Sequence, residues 1–336
     1  MLHQNKNTYS FTPPLWARNR HVQTIWPRFF MKRLELTYTE QRLELPDGDF
    51  VDLAWSKRPV NCKGLVVLFH GLEGSIKSHY AHNIMAELVN DDWWTVMMHF
   101  RGCSGEPNRL ARGYHSGDTG DAMFLLQYLQ DIHIDAPITY AIGFSLGGNM
   151  LLKLLGENPG QDWIKAGIAI SPPFQLAECS DNICKGFSRH YQNYLLKSMR
   201  HNVLSKMQRM DMSEALQISA DEVSNINSFR EFDQYITAPL HGFDSADDYY
   251  AKASSGNFLR AVDTPCLVIH SKDDPFMTES VVPDNHAISP HIQMEVSQFG
   301  GHVGFMQGSP WKPVNWYHQR VLDYLNSMHM QHMANQ

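Results

Sequence analysis

TYAIGFSLGGNML, residues 139–151, carries the most informative pattern in this chain. An apolar run leads into Gly143, a helix-forming run follows Gly148, and Ser145 stands between glycines in a Gly-x-Ser-x-Gly pattern. A serine raised above a sheet on a tight strand-to-helix turn is strained and brings the residues two before and two after it together, so Gly143 and Gly147 fit there. This context predicts a nucleophile elbow. The alternative is a glycine-rich turn that happens to contain a serine.

The run GLVVLF, residues 64–69, is typical of a buried strand and leads directly into the loop HGLEG, residues 70–74. One interpretation places this loop beside the predicted elbow. The other is an ordinary tight turn in which His70 bonds only the loop backbone.

Two further strand-like runs are followed by residues suited to acid–base chemistry. CLVIH, residues 266–270, leads to Asp273 and Asp274, and a carboxylate just past a strand end can orient a catalytic imidazole. We favour Asp274, which directly precedes a proline, and expect Asp273 to be solvated. IQMEVSQF, residues 292–299, leads to a Gly-Gly-His loop, which makes His302 the candidate base among 18 histidines.

Taken together, these motifs resemble the α/β-hydrolase superfamily. More narrowly, they are similar to its YheT-like branch, which groups bacterial proteins with eukaryotic α/β-hydrolase-domain esterases and yeast ethyl-ester-forming acyltransferases. The resemblance spans most of the chain and is carried by PLW (residues 14–16), NRHVQT (19–24), HGLEGS (70–75), RGCSGE (101–106), GFSLGGN (143–149), Asp274-Pro275 and Gly301-His302.

The resemblance implies a serine hydrolase of carboxylic esters that works through an acyl-enzyme intermediate. Ser145 would be the nucleophile, Asp274 the acid and His302 the base, in the chain order of this fold. The backbone N–H groups of Leu72 and Leu146 would form the oxyanion hole. The resemblance implies no metal or organic cofactor. Short to medium acyl chains are expected for a different reason, because a helical cap over Ser145 would form a mostly apolar pocket.

Two alternative functions remain open from the sequence. An acyltransferase would pass the same acyl group to an alcohol, because the entering nucleophile decides the product. A non-catalytic ligand-binding protein can also use this fold, but it normally has a damaged triad, whereas all three positions are filled here.

Composition limits the broader function classes. The 336 residues include 28 Lys+Arg and 35 Asp+Glu, giving a net charge of −7, and no basic stripe points to nucleic acid. No apolar run approaches the length of a membrane span, and no signal peptide is evident. Five scattered cysteines favour reduced thiols in the cytoplasm. The expected partner is a small-molecule ester, and the oligomeric state is not indicated.

The expected fold class is α/β, with a mostly parallel central sheet, flanking helices and a helical cap insertion. The expected divisions are an N-terminal arm (residues 1–40), a core in two parts (41–171 and 261–330), the cap (172–260) and a tail (331–336). An antiparallel hairpin opens the core. Parallel strands are predicted at 65–69, 94–98, 138–143, 167–170, 267–270 and 293–296, and helices at 81–89, 118–130, 148–156 and 316–328.

The cap contains an apolar helical stripe whose members are Leu196, Met199, Val203, Met207 and Met210. We expect this stripe to pack the cap against the body. The alternative is that some of its methionines line an adaptable acyl pocket. Phe144, next to the nucleophile, could face either the pocket or the core.

Two other segments have competing interpretations. The loop HFRGCSG, residues 99–105, is expected to be structural, and Cys103 lacks the elbow and base of a nucleophile. The aromatic and basic arm could touch a membrane surface, but packing over the body is favoured because its apolar residues do not follow a regular helical spacing. The residues concerned are Trp16, Trp26, Phe29 and Phe30 with Arg18, Arg20 and Arg28.

Overall fold

A central eight-stranded sheet organises the computed structural model, which describes residues 11–132 and 138–334. The ends of the predicted arm and tail, residues 1–10 and 335–336, lie outside the described residues. The strands of the sheet are β1 (Tyr38–Glu44), β2 (Phe50–Ser56), β3 (Gly64–Phe69), β4 (Trp93–Met98), β5 (Thr139–Phe144), β6 (Gly167–Ile170), β7 (Cys266–Ser271) and β8 (Ile292–Ser297).

The spatial order of the strands is β1-β2-β4-β3-β5-β6-β7-β8. β2 pairs antiparallel with both β1 and β4, and all later neighbours pair parallel. β3, β5, β6 and β7 are nearly fully buried, as expected for strands covered on both faces. The predicted opening hairpin and parallel strands are confirmed. The loops that follow β3, β5, β7 and β8 meet at one edge of the sheet, because the carboxyl ends of parallel strands share an edge.

Helices cover both faces of the sheet. Side chains of α3 and α4 share one buried cluster with the strands, and side chains of α2 and α11 share the other. The helices are α1 (Arg20–Phe30), α2 (His79–Asn90), α3 (Gly120–Asp131), α4 (Leu146–Glu157), α5 (Leu176–Ile183), α6 (Ser188–Met207), α7 (Ala220–Asn225), α8 (Phe229–Phe232), α9 (Ala238–His241), α10 (Ala246–Ala253) and α11 (Trp316–Ala334).

The segment between β6 and β7 contains helices α5 to α10 and, in the part described, no strand. A π-helical turn, Asp233–Thr237, joins α8 to α9. Leu196 and Val203 from the predicted stripe are buried in a separate apolar cluster of these inserted helices, and Met199, Met207 and Met210 pack against it. The stripe therefore packs mainly within the insertion.

Three features were not expected from the sequence. A small antiparallel hairpin of β9 (Met306–Ser309) and β10 (Lys312–Asn315) follows the Gly-Gly-His loop. α4 begins at Leu146 rather than after Gly148, and α11 continues to Ala334. Within the described residues, no helix is both long enough and apolar enough to cross a membrane.

Candidate active site

Ser145 occupies a strained turn between β5 and α4. Its φ of 50° and ψ of −116° lie outside the regions open to most residues. A Cβ on Gly147 would stand 2.5 Å from the carbonyl oxygens of both Phe69 and His70, and one on Gly143 would stand 2.7 Å from Cα of Gly148. Only glycine fits at both positions, so the spacing seen in the sequence is a steric requirement of this turn.

The structure brings the three predicted triad residues together. His302 Nε2 lies 2.9 Å from Ser145 Oγ, and His302 Nδ1 lies 2.7 Å from Asp274 Oδ2. An ionised carboxylate can only accept, so Nδ1 carries the proton and Nε2 is left to accept from the serine hydroxyl. The Asp274 side chain is 1% exposed and that of His302 is 10% exposed. This arrangement can draw the proton from Ser145 and hold the resulting imidazolium beside a buried carboxylate.

Asp273 was expected to be solvated, and this expectation is wrong. It is half-buried, and its Oδ1 accepts a hydrogen bond of 2.9 Å from the Gly301 N–H. Burial, the largest cause, raises the pKa of its carboxyl. The two neighbouring aspartates thus have different contacts, because Asp274 contacts the imidazole while Asp273 anchors the loop that carries it.

Helix α1 provides a second anchor for the histidine loop. The His302 N–H donates to Thr24 Oγ1 at 2.9 Å, and the Met306 N–H donates to Gln23 Oε1 at 2.6 Å. The Phe276 ring stacks on the His302 ring, with centroids 4.0 Å apart and planes 11° apart. Sequence reasoning missed the contacts of all three residues. Thr24 and Gln23 lie about 280 positions from the loop that they hold, and nothing in the sequence marked Phe276 as a partner of His302.

The loop after β3 lies directly against the serine. A Cβ on Gly71 would be 3.3 Å from Ser145 Cβ. Within the part of the chain that the structure describes, the N–H groups of Leu72 and Leu146 have no hydrogen-bond partner, and both residues line the same cavity as Ser145. Two unpaired donors at the start of α4 and in the adjoining loop can stabilise an oxyanion.

His70 holds this loop from behind. The Phe100 N–H donates to His70 Nε2 at 3.0 Å, so Nδ1 carries the proton that is donated to the Gly71 carbonyl at 2.7 Å. Burial lowers the pKa of His70 to about 3, which keeps the ring neutral. Tyr80 OH accepts from the Gly71 N–H at 2.9 Å. His70 therefore bonds only backbone groups, as the second interpretation of this loop expected. The loop also lies beside the elbow, as the first interpretation expected.

Glu73 links the same loop to the inserted helices. It has a φ of 54°, and its N–H donates to Tyr114 OH at 2.8 Å. Its carboxylate accepts from Tyr114 OH at 3.0 Å, from Ser198 Oγ at 2.6 Å and from Asn202 Nδ2 at 2.8 Å. Ser198 and Asn202 belong to α6, so this one side chain ties the residue after Leu72 to that helix. The sequence motif contained Glu73 but gave no sign of its partners.

A cavity of about 380 Å³ opens onto Ser145 and His302, and its surface is mostly apolar, with many of the apolar side chains supplied by the inserted helices. Met199, Ile236 and Leu240 are among them. Met199 from the predicted stripe thus faces the cavity, whereas Phe144 is fully buried against Tyr80 in the core. The lining suits an apolar group next to the serine.

The loop after β4 is structural, as expected. Arg101 donates to both carboxylate oxygens of Asp121 at 2.7 Å, and also to Asp47 at 2.7 Å and Asp49 at 3.0 Å. This buried arginine thus holds the loop to α3 and to the turn between β1 and β2. Desolvation raises the pKa of the nearby Cys103 thiol, which opposes formation of a nucleophilic thiolate.

One group of residues has ligand types suited to a metal ion. Donor atoms of His115, Asp118 and His241 lie within 4.8 Å of one another. Asp118 is already paired with Arg112 at 2.8 Å. Burial, and then nearby cations that include Arg112, lower the pKa of His115 to about 3. This positive surrounding disfavours a further cation, so the group is better described as two imidazoles in edge-to-face contact, with centroids 4.6 Å apart, beside a carboxylate that is paired with Arg112.

Comparisons with known proteins identify the family. A sequence model of the alpha/beta hydrolase fold matches residues 64–309. The Escherichia coli (strain K12) protein named "Putative esterase YheT" is 44% identical over 94% of this chain and 93% of its own length. Phospholipase ABHD3 of Bos taurus is 28% identical over 94% of this chain and 77% of its own length.

A solved structure agrees on the fold. The esterase Pf2001 of Pyrococcus furiosus superposes with a TM-score of 0.57 at 16% identity and covers 88% of this chain and 97% of its own. The strand order, the turn at Ser145 and the sequence match over most of the length lead to one conclusion: the chain belongs to the α/β-hydrolase family, in the branch that contains YheT.

Proposed function

We propose that this carboxylic ester hydrolase acts through an acyl-enzyme intermediate formed on Ser145. One observation carries the proposal: the Ser145 hydroxyl, raised on its strained turn, lies 2.9 Å from an imidazole that Asp274 holds by its other nitrogen. In this proposal His302 is the base and Asp274 orients it. The esterase relative and the family match support ester hydrolysis as the reaction.

The proposed reaction has two halves. Ser145 Oγ attacks the ester carbonyl while His302 Nε2 takes its proton, and the N–H groups of Leu72 and Leu146 stabilise the oxyanion. The intermediate collapses, the C–O bond breaks, and the alcohol leaves with the proton from His302. Water then attacks the acyl-enzyme with His302 again acting as base, which releases the acid and restores the serine.

The cavity supports an acyl chain of short to medium length as the bound group. Two of its charged side chains already have partners, since Glu73 accepts from Ser198 and Asn202 of α6 and Lys206 donates to the backbone carbonyls of Leu110, Ala111 and Arg112. A charged substrate group would have to lose its hydration without gaining a free partner here, which is costly. Uncharged esters are therefore the favoured class.

Labelling by a fluorophosphonate tests the nucleophile. The wild type should be labelled on Ser145, and Ser145→Ala should abolish labelling and lower turnover by several orders of magnitude, as for triad removal elsewhere. Ser205→Ala, which removes another hydroxyl from the cavity wall, should retain labelling. Labelling that persists in Ser145→Ala, with circular dichroism unchanged, would disprove the assignment.

A further inference from the structure

Helix α1 is packed with its apolar side outward. The two residues it buries are Gln23 and Pro27, whereas Phe29 is 69% exposed and Phe30 is 51% exposed. Val22, Ile25, Trp26 and Phe29 follow the spacing of one helical face, which continues to Phe30, so the expectation that these apolar residues lack a regular helical spacing is wrong. A helix of a soluble protein normally turns such a face toward the core, so this inverted packing needs another explanation.

The exposed apolar surface extends beyond α1. Trp26 stacks on Phe30 with centroids 4.1 Å apart, and its indole N–H donates to the Pro310 carbonyl at 3.2 Å. That bond places the turn of the β9–β10 hairpin beside the helix, where Trp311 is 84% exposed. Leu15, just before α1, is 78% exposed. We call Leu15, Trp26, Phe29, Phe30 and Trp311 the outer patch.

Helix α6 borders the same surface. Arg28 of α1 donates to Tyr194 OH at 2.6 Å and lies over its ring, and His21 packs against Phe187 with centroids 4.3 Å apart. Phe187 and Tyr194 are themselves half exposed. The apolar and aromatic surface therefore runs continuously from the hairpin across α1 to the first half of α6.

The three chain segments that form this surface carry charges of a single sign. Residues 11–34, 185–209 and 306–315 contain twelve Lys and Arg but no Asp or Glu, which leaves 16 cations against 35 acids in the rest of the chain. Arg18, Arg20, Lys32 and Lys312 are exposed, and none of the four forms an ion pair with any residue that the structure describes. A protein of net charge −7 thus keeps one face cationic.

We propose that the outer patch docks this protein on the surface of an anionic lipid bilayer. Exposed Trp and Phe inserted at the headgroup level, ringed by Lys and Arg, are the features of a helix that lies in a membrane interface. The cations complement the negative surface potential of anionic lipids. A symmetric dimer would instead bring the cations of one copy against those of the other, and the patch is a protruding helix and turn rather than a groove.

Vesicle flotation tests the proposal. The wild type should float with vesicles of equal parts phosphatidylglycerol and phosphatidylcholine, at least tenfold more than with phosphatidylcholine alone, and raising the salt from 0.1 to 0.5 M should weaken binding. Ser145→Ala should float like the wild type, which separates this proposal from the catalytic one.

Two triple variants dissect the surface. The first variant combines Leu15→Ser, Phe29→Ser and Trp311→Ser. These exposed side chains have little native packing, so the variant should fold but should not float with the vesicles. Arg18→Gln, Lys32→Gln, Lys312→Gln should lower partitioning about a hundredfold, at about fivefold for each charge. As a control, Val60→Ser with Lys57→Glu changes two exposed residues between β2 and β3 and should leave partitioning unchanged. Equal flotation of the wild type and the Ser triple, no flotation of the wild type, or a patch that governs only self-association by size-exclusion chromatography would overturn the proposal.

Discussion

Asp274 and Asp273 differ by one position in the chain and by their contacts at the site. The first meets the imidazole at 2.7 Å, and the second receives the Gly301 N–H at 2.9 Å. Successive side chains of a β-strand point to opposite faces of the sheet, but this alternation ends where the strand ends. In the turn after β7, both carboxylates can therefore point toward the same loop. The chemistry then depends on which of them reaches Nδ1.

Exchange of each carboxylate for an amide should separate these roles. Asp274→Asn should lower turnover by about 10⁴, because the amide favours the wrong imidazole tautomer. Asp273→Asn keeps an acceptor oxygen for the Gly301 N–H and should lower turnover by less than about tenfold. Steady-state hydrolysis of p-nitrophenyl butyrate measures both. A larger loss in Asp273→Asn than in Asp274→Asn would reverse the assignment.

The three candidate catalytic residues could be predicted from the sequence, but the residues that hold them in place could not. Ser145, Asp274 and His302 each follow a recognisable strand pattern, so the parallel topology brings them to one edge. Thr24 and Gln23 act on a loop far away in sequence, and nothing local in the chain encodes that contact. Whether the three chemical residues catalyse ester hydrolysis stays a prediction.

At the level of elements, the strands could be predicted most closely because short continuous apolar runs flanked by turn residues are typical of buried strands. The β9–β10 hairpin could not, since its residues show no alternation of apolar and polar side chains. The start of α4 was missed because Gly147 and Gly148 are poor helix formers, and tertiary contacts of the elbow override that propensity.

The tie between Glu73 and α6 predicts that the inserted helices help to set the oxyanion hole. Glu73→Gln replaces one accepting oxygen by an NH₂ group, so either Tyr114 or the pair on α6 loses an acceptor. Leaving such a half-buried group without its partner costs about 1 kcal/mol. We expect kcat for p-nitrophenyl butyrate to fall roughly tenfold with little change in KM, because the Leu72 N–H loses its orientation.

The control for the Glu73 variant lies on α6, the helix that Glu73 contacts. Asn193 is exposed, so Asn193→Ala should change neither constant. Ser198→Ala with Asn202→Ala should reproduce part of the kcat loss. An effect of Glu73→Gln confined to KM would show that the residue shapes binding rather than the oxyanion hole.

The π-helical turn carries a half-buried carboxyl, that of Asp233, whose titration should affect stability. Burial raises the pKa of Asp233 to about 6, although Thr237 Oγ1 and Tyr250 OH donate to it. The folded protein thus binds this proton more tightly than the unfolded chain, so its contribution to stability is complete below about pH 4 and is lost as the pH rises through about 6.

Asp233→Asn should remove that pH dependence. Relative to the wild type, the variant should gain up to about 3 kcal/mol in free energy of unfolding between pH 4 and pH 7.5. Urea unfolding at the two pH values measures the difference. Asp244→Asn, at an exposed position before α10, serves as the control, and parallel pH profiles for all three proteins would refute the prediction.

At the scale of the whole molecule, two surfaces of the inserted helices face different surroundings. The inner surface of α6 contributes Met199 to the cavity, and its outer surface belongs to the cationic face. The net charge of −7 hides this segregation, because composition averages over the surface while the fold concentrates cations on one side. Composition alone therefore could not locate either surface.

The apolar cavity predicts the dependence of hydrolysis on acyl-chain length. Each methylene buried against its walls contributes up to about 0.8 kcal/mol, or about fourfold in kcat/KM, so the rate for p-nitrophenyl esters should climb with chain length until the cavity is full and then fall.

Met199→Trp should move the optimum to shorter chains while acetate is still hydrolysed, because the added ring occupies space that the chain would use. Asn193→Trp places the same ring on the exposed side of α6 and should leave the optimum in place. A flat profile from acetate to long chains, or an optimum that Met199→Trp does not move, would mean that this cavity does not receive the acyl group.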